Sequence, residues 1–197
     1  MTNTKIFQGM ARLLALATLV MMPPHVLAAD GKALFSTCGA CHGPGGEGNI
    51  MIGAPNIAGM AAWYSARQLA NFSSGKRGSD KADAFGAQMR AAAMVVNSDE
   101  QREAVAKYVA SLPSRAVTAA AAGNPADLAN GRNQFNAICS SCHGSTGHGN
   151  QTLGAPSLIG LEITYAERQL RAFRDGSAVP TRTTSGVRRC GLALRCC

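Results

Sequence analysis

Two copies of the motif Cys-x-x-Cys-His carry the side chains in this sequence that are best suited to chemistry. They comprise Cys38, Cys41 and His42, and Cys139, Cys142 and His143. On a turn of helix, cysteines at this spacing present both sulfurs to one side, and each thiol can add to a haem vinyl group to form a thioether. The histidine that follows can offer a ring nitrogen to iron. The motif is the attachment signature of c-type haem, so the sequence predicts two covalent haem sites.

The two motifs lie in an internal repeat with an offset of 101 residues. The same offset relates further pairs, namely Gly53–Pro55 and Gly154–Pro156, Gln68–Leu69 and Gln169–Leu170, Phe72 and Phe173, and Gly75 and Gly176. A repeat of this length in a chain of 197 residues predicts two small domains. An apolar core alone is marginal at that size, and a covalently held haem would extend it.

Residues 1–29 have the pattern of a secretory signal peptide. Lys5 and Arg12 provide the positive region, and Leu13–Met22 is apolar but short for a membrane span. Cleavage near Ala28 would release the chain into the periplasm, and the alternative is an uncleaved membrane anchor. Because that compartment is oxidising, disulfides within each cysteine pair are the alternative to haem attachment. The prediction is a periplasmic protein with peripheral or no membrane association.

The formal net charge of +8 does not indicate a nucleic-acid partner. Residues 30–113 carry eight basic and seven acidic side chains, so the first domain is close to neutral. The excess lies in the leader and in residues 177–197, which contain four arginines and no acid. A basic balance confined to such segments does not make a basic binding face, and we expect no nucleic-acid partner.

Hydrophobic periodicity predicts helices and no convincing strand. A short helix is expected from Gly31 into the haem motif, and a second over 60–73 with Trp63, Leu69 and Phe72 as its buried stripe. Ser98 and Gln101 form a capping box for a last helix that ends before Pro113. The sequence thus predicts an all-α fold, with domain one at 30–113, a linker at 114–126 and domain two at 127–176.

The sixth iron ligand must come from outside the motif, and a methionine thioether is a soft ligand that favours reduced iron. In domain one the candidates after the motif are Met51, Met60, Met89 and Met94. Met89 and Met94 lie far enough along the chain to return over the opposite face of a haem. Spacing alone does not separate these two residues.

Several strings make the chain resemble class I cytochromes c, and the tandem arrangement resembles the diheme cytochromes of the "c-four" type. They are Gly31-x-x-x-Phe35, the haem motif, Gly53–Gly59, Tyr64-x-x-x-Gln68-Leu69-x-x-Phe72-x-x-Gly75, Gly86–Met89, and the capped helix with Tyr108. The resemblance covers all of domain one and domain two to about Gly176. It implies small helical domains that wrap haem c with His/Met ligation and shuttle electrons in the periplasm.

The resemblance also assigns roles to particular residues. The family string Gly-x-Gln-Met places the axial methionine at Met89, with Met94 as the second choice. The family proline, whose carbonyl supports the iron-binding histidine, corresponds to Pro55 in domain one and to Pro156 in domain two. His42 and His143 would bind the two irons, and the four motif cysteines would hold the porphyrins.

Domain two departs from this pattern, because no methionine follows Met94. His148 lies too close to His143 to reach the far face of a haem, and Cys190 is a weak soft ligand. Residues 177–197 lack periodicity where a closing helix should form. A back-translation of this tail in another reading frame gives a string with the Gly-Ala-Gln-Met core, so we hypothesise a frameshift. Domain two is then incomplete, and its haem is poorly held or high-spin.

The leading functional prediction is a carrier of single electrons without enzymatic turnover. By resemblance, its donor is a quinol-oxidising complex or a dehydrogenase, and its acceptor is a terminal oxidase. The alternatives are a diheme peroxidase-like enzyme, for which domain two offers no obvious acid–base pair, and a cytochrome subunit of a dehydrogenase. A zinc-binding module is a third alternative, although a histidine directly after the second cysteine is poor zinc geometry.

Overall fold

The computed structural model describes residues 29–114 and 124–177, so residues 1–28 of the leader, 115–123 of the linker and 178–197 of the tail lie outside the described residues. Domain one contains α1 (Gly31–His42), a 3-10 turn (Ile50–Ile52), α2 (Ala62–Ser73), α3 (Ala84–Ala93) and α4 (Asp99–Ser111). Domain two contains α5 (Pro125–Gln134), a π-helical turn (Phe135–Cys139), α6 (Ser140–His143) and α7 (Ile163–Asp175). Within these ranges extended pairing is limited to two isolated bridges, which confirms the all-α prediction.

Domain one closes around its last helix. Helix α4 packs against both α1 and α2, and α2 packs against α3. The buried side chains come from all four helices and the turn after α3, and they are Phe35, Leu69, Phe72, Ala93, Val96, Val105 and Val109. Burying a valine or phenylalanine side chain contributes about 1.5–3 kcal/mol each. The core of domain one therefore depends on a helix that is distant in sequence from the haem motif.

The start of α4 differs in one detail from the predicted capping box. The Ser98 hydroxyl accepts a hydrogen bond from the Gln101 backbone N–H at 3.2 Å, as the box requires. The Gln101 side chain, however, accepts from the Asn97 N–H at 3.0 Å and not from Ser98. The hydrogen bond from the backbone to the Gln101 side chain therefore comes from the residue before the cap, Asn97, and not from the cap itself. Both hydrogen bonds still satisfy backbone donors at the helix start.

The helix that carries the haem motif is continuous in domain one and divided in domain two. Phe35 precedes Cys38 by three residues, whereas Phe135 precedes Cys139 by four. The additional residue is accommodated in the π-helical turn Phe135–Cys139. The repeat offset reveals this insertion, because it changes from 100 at Phe135 to 101 at Cys139.

Domain two has little buried structure among its described residues. Only Gly147 and Ala155 are buried in the range 124–177, and no counterpart of α4 lies within it. Helix α5 begins at Pro125, two residues before the predicted start of domain two at 127. No helix in the described parts of the chain has the length and apolar character needed to cross a membrane.

Candidate haem sites and the contact between the domains

A cavity in domain one brings together the predicted attachment and ligand residues. Cys38, Cys41, His42 and Met89 all line it, and Met60 does as well. Its walls are mainly apolar and include Leu69, Phe72, Val105 and Val109. Met94 does not line the cavity and is 57% exposed, and Met51 is 89% exposed. The geometry thus separates Met89 from Met94, which spacing alone did not.

Met89 reaches the cavity because it lies on α3, a helix that the sequence analysis did not predict. The carboxylate of Asp83 caps this helix by accepting from the Gly86 N–H at 2.8 Å. An Asp three residues before a glycine is a weak signal alone, and the alanine-rich stretch that follows has little periodicity. The cap was the only local indication that a helix begins there.

His42 is oriented by the backbone of the loop that follows it. The ring is 6% exposed, and its Nδ1 lies 2.9 Å from the Pro55 carbonyl oxygen. Because a carbonyl can only accept, Nδ1 carries the proton and Nε2 is the nitrogen available to a metal. Burial lowers the pKa of His42, against the opposing effects of the Pro55 hydrogen bond and the Glu162 charge. The ring is therefore in the neutral form that binds metals.

The cysteines of the first motif are free thiols in the structure, with Cys38 half-buried and Cys41 exposed. Burial raises the pKa of Cys38, and the neighbouring Cys41 adds to the shift while a backbone hydrogen bond opposes it. The structure thus has no disulfide between Cys38 and Cys41. No group of three or more metal-binding side chains occurs in the described ranges, so the zinc alternative has no structural support.

The half of domain two that carries its haem motif repeats this geometry. His143 Nδ1 lies 2.9 Å from the Pro156 carbonyl oxygen, the same distance as in domain one. His148 is exposed and pairs through Nδ1 with the Thr146 hydroxyl at 2.8 Å, as expected for a loop residue. Cys190 and the frameshift hypothesis concern residues outside the described ranges.

The two domains hold each other through a reciprocal pair of arginines. Arg67 Nη2 donates to the Gly154 carbonyl oxygen at 2.8 Å, and Arg168 Nη2 donates to the Gly53 carbonyl oxygen at 2.6 Å. Both pairs are related by the repeat offset of 101 residues. Each domain therefore binds the loop after the other domain's haem motif, in a pseudo-two-fold arrangement.

Arg77 lies between the domains, and sequence analysis did not single it out. It is 8% exposed, donates to the Gln68 amide oxygen at 2.7 Å, and lines the domain-one cavity. It also donates to Tyr165 and Gln169 of domain two, at 3.1 and 2.6 Å. These hydrogen-bond partners are all neutral. The negative charge that acts on Arg77 is that of Asp83, which also lines the cavity. A buried guanidinium favours negative neighbours, so this side of the cavity suits an anionic group.

Glu162 is a second cross-domain residue that sequence analysis did not single out. Its carboxylate accepts from the Asn56 backbone N–H, with distances of 2.9 Å to Oε1 and 3.1 Å to Oε2. Asn56 follows Pro55 directly, so this contact lies beside the backbone group that orients His42. A negative charge from domain two is thereby placed next to the domain-one site.

Comparisons with known proteins follow the same division of the chain. The family described as "Cytochrome c" matches residues 28–113, and that described as "Cytochrome C oxidase, cbb3-type, subunit III" matches residues 126–187. The thiosulfate dehydrogenase electron acceptor of Thiomonas intermedia is 34% identical over 184 residues, covering 87% of this chain and 79% of that protein. The chain belongs to the diheme cytochromes c.

Further relatives of this diheme cytochrome agree in sequence and in structure. Cytochrome c4 of Pseudomonas aeruginosa is 31% identical over 168 residues, which cover 81% of this chain and 75% of that protein. Crystalline reduced cytochrome c4 from Pseudomonas stutzeri superimposes with a TM-score of 0.63 at 26% identity, over 83% of this chain and 92% of that one. These findings confirm the predictions of two tandem cytochrome c domains, covalently bound haem c and electron transfer.

The residues of domain one fit haem c in their chemistry. The two thiols of the motif, a neutral histidine with a free Nε2 and a thioether sulfur line one cavity. Apolar walls suit the faces of the porphyrin, and the buried Arg77 guanidinium suits its carboxylates. The donor set is that of a covalently attached haem with two axial ligands.

Proposed function

We propose that the haem of domain one is attached through Cys38 and Cys41 and that its iron is bound by His42 Nε2 and the Met89 sulfur. The observation that carries this proposal is the single cavity lined by these four residues. The contact from Pro55 to His42 Nδ1 supports it, because it turns the other ring nitrogen toward the metal. Bound haem supplies one-electron exchange between ferric and ferrous iron.

The side chains of domain one would set the conditions for that exchange. The apolar walls would exclude water from a bound haem, the Met89 thioether would favour the ferrous state, and Arg77 would bind the porphyrin carboxylates. The acceptors of Arg77 in domain two would tie the haem to the docking of the domains. We infer that loading of the first haem and contact between the domains stabilise each other.

For domain two we infer attachment through Cys139 and Cys142 and iron binding by His143, oriented by Pro156. The matching His143 to Pro156 distance of 2.9 Å supports this assignment. Because residues 95–197 contain no methionine, the second haem would lack the methionine ligation proposed for the first. A haem without its sixth ligand would be high-spin and less firmly held.

The proposed role is that of a periplasmic electron carrier with no substrate turnover of its own. The name of the Thiomonas relative supports a dehydrogenase as donor, and the oxidase-subunit family matched by residues 126–187 supports a terminal oxidase as acceptor. A quinol-oxidising complex is the other donor that suits a respiratory chain. Export would depend on residues 1–29 acting as a cleaved signal peptide.

The test is expression in a cell with working cytochrome maturation machinery, followed by intact mass measurement of the exported chain. The mass reports removal of the leader and the number of covalent haems together. We expect at least one haem and an absorption band from a methionine–iron bond. The variant His143→Ala should keep that band, whereas His42→Ala should lose it. A colourless exported protein would contradict the proposal.

A further inference from the structure

One peptide group connects His42 of domain one to Glu162 of domain two. The carbonyl oxygen of this group belongs to Pro55 and accepts from His42 Nδ1 at 2.9 Å. The N–H of the same group belongs to Asn56 and donates to both oxygens of the Glu162 carboxylate, at 2.9 and 3.1 Å. A continuous chain of hydrogen bonds therefore runs from a carboxylate in one domain to an imidazole in the other.

The chemistry of the amide makes this chain an electronic connection. The peptide group is a resonance hybrid, so a negative charge at its N–H increases the electron density on its oxygen. A hydrogen bond to an ionised acceptor is also shorter and about twice as strong as a neutral one. The Pro55 oxygen becomes a better acceptor for the His42 proton, and an acceptor of this kind raises the basicity of a metal-bound histidine.

The surroundings hold the carboxylate at this peptide. Asn56 is 6% exposed, and a side chain on Gly48 would place its Cβ within 2.8 Å of Glu162 Oε1. Glu162 occupies the position before α7 where a side chain often caps, but its carboxylate accepts none of that helix's N–H groups. In the described parts of the chain no cation forms an ion pair with it, so its charge acts on the peptide.

Domain two lacks the equivalent connection. The repeat offset pairs Glu162 with Ala61, so the peptide between Pro156 and Ser157 receives no carboxylate from that position. Ala61 and Glu162 have similar backbone angles, with φ of −54° and −65° and ψ of 130° and 139°. The two positions thus differ in side chain and not in the path of the backbone.

We propose that Glu162 is a positioning residue that lowers the reduction potential of the domain-one haem through the Pro55–Asn56 peptide. Ferric iron carries one more positive charge than ferrous iron, so a more electron-rich His42 stabilises the ferric state. Domain two would in this way adjust the potential of domain one only while the domains are docked. This inference rests on the proposed function, in which His42 binds the iron.

The test replaces Glu162 by its neutral isostere in the full-length, haem-loaded protein. Glu162→Gln keeps an oxygen that can accept from Asn56 but removes the charge. Glu167→Gln is the matched control, because Glu167 is exposed on α7, the helix that Glu162 precedes. The methionine–iron band, expected only for the first haem, would be followed during a redox titration. We expect Glu162→Gln to shift the reduction equilibrium three- to tenfold toward ferrous haem, where tenfold corresponds to 59 mV, and the control to shift it less than twofold.

Two further measurements make the result decisive. In the ferrous protein the Asn56 amide proton resonance should move upfield in Glu162→Gln and stay in place in Glu167→Gln, because it loses a charged acceptor. Small-angle scattering should report the same radius of gyration for all three proteins. An unchanged potential, or a rise found only together with separated domains, would overturn the inference. Absence of attached haem in the wild type would instead contradict the proposed function.

Discussion

Within the residues that the structure describes, the two domains share the geometry of their haem-attachment halves and differ in how much buried structure surrounds it. The histidine to proline contact has the same length in both, and the loops after both motifs close with an isolated bridge. Domain one adds a buried core closed by α4, whereas only Gly147 and Ala155 are buried in the described part of domain two. Local sequence thus forms the proximal side of a haem site in both domains, whereas in domain one a helix distant along the chain, α4, closes the core.

Helix α4 closes the core of domain one. It supplies Val105 and Val109 to the core and packs Tyr108 on Phe35, with ring centroids 5.1 Å apart. In domain two the counterpart of Phe35 is Phe135, which is only half-buried and lies at the start of the π-helical turn. Four substitution experiments test the difference between the two domains.

The largest expected effect is on the reduction potential of the first haem, when domain one loses the methionine ligand that domain two also lacks. Met89→Ala should abolish the methionine–iron band and lower the potential of the first haem by on the order of 0.1 V or more, since axial ligands span about 0.8 V. Met94→Ala is the control and should leave both unchanged, because Met94 is exposed. Redox titration with absorption spectroscopy checks this, and a retained band in Met89→Ala would exclude Met89 as the ligand.

The next largest effect is expected on the stability of each domain, when the equivalent residues Phe35 and Phe135 are each replaced by alanine. Phe35→Ala should reduce the free energy of unfolding of domain one by about 3–5 kcal/mol, because it leaves a cavity in a closed core. Phe135→Ala should cost domain two less than about 2 kcal/mol, because the ring is only half-buried. Urea unfolding followed by circular dichroism measures both. Equal losses would show that the second domain is as closed as the first.

A smaller effect is expected on the docking of the domains, and it should differ between the two arginines that bind across the contact. Arg168 is half-buried and Arg67 is exposed, although both donate to a glycine carbonyl of the other domain. Arg168→Ala should weaken docking by about 1.5–3 kcal/mol, and Arg67→Ala by about 1 kcal/mol or less. Small-angle scattering in increasing urea reports domain separation before global unfolding. A larger loss of docking free energy in Arg67→Ala than in Arg168→Ala would contradict this prediction.

The smallest expected effect is a loss of folding stability at alkaline pH that depends on Tyr64, a tyrosine of domain one close to Tyr165 of domain two. Burial raises the pKa of Tyr64 above its ordinary value of 10.0, and the nearby Tyr165 adds to this, whereas Arg77 and Arg67 oppose it. The folded state therefore favours the protonated phenol. This stability is fully present below pH 10 and is lost as the pH rises through the folded pKa. Wild-type protein should lose more stability than Tyr64→Phe between pH 8 and 11 in urea unfolding experiments.

The sequence predicted the proximal half of each site because that half is local. Cys38, Cys41 and His42 share one helical turn, and Pro55 follows thirteen residues later in a glycine-rich loop whose path is restricted. Resemblance rather than periodicity selected Met89, because the alanine-rich helix that positions it has a weak pattern. The insertion in domain two was visible only as a change in the repeat offset.

Arg77 and Glu162 were missed because their roles depend on the docking of two domains, which no local pattern encodes. The repeat nevertheless contained a signal. The offset pairs Glu162 with Ala61, so Glu162 departs from the repeat while Tyr64, Gln68 and their partners follow it, whereas Arg77 lies after the last pair that the repeat aligns, Gly75 and Gly176. Positions where the two copies of a repeat carry different residue types are therefore candidates for contacts between the copies.

Arg67 and Arg168 each donate to a glycine carbonyl of the other domain. This pattern is the same as in a symmetric dimer, where each of two identical subunits makes the same contact to the other. In such an assembly every substitution occurs twice, so an acidic group cannot be added beside one metal centre without the other. Fusing both halves into one polypeptide removes that restriction. Glu162 opposite Ala61 is a difference that only a fused pair can hold. With the role proposed for Glu162, it would give two centres of common design different reduction potentials.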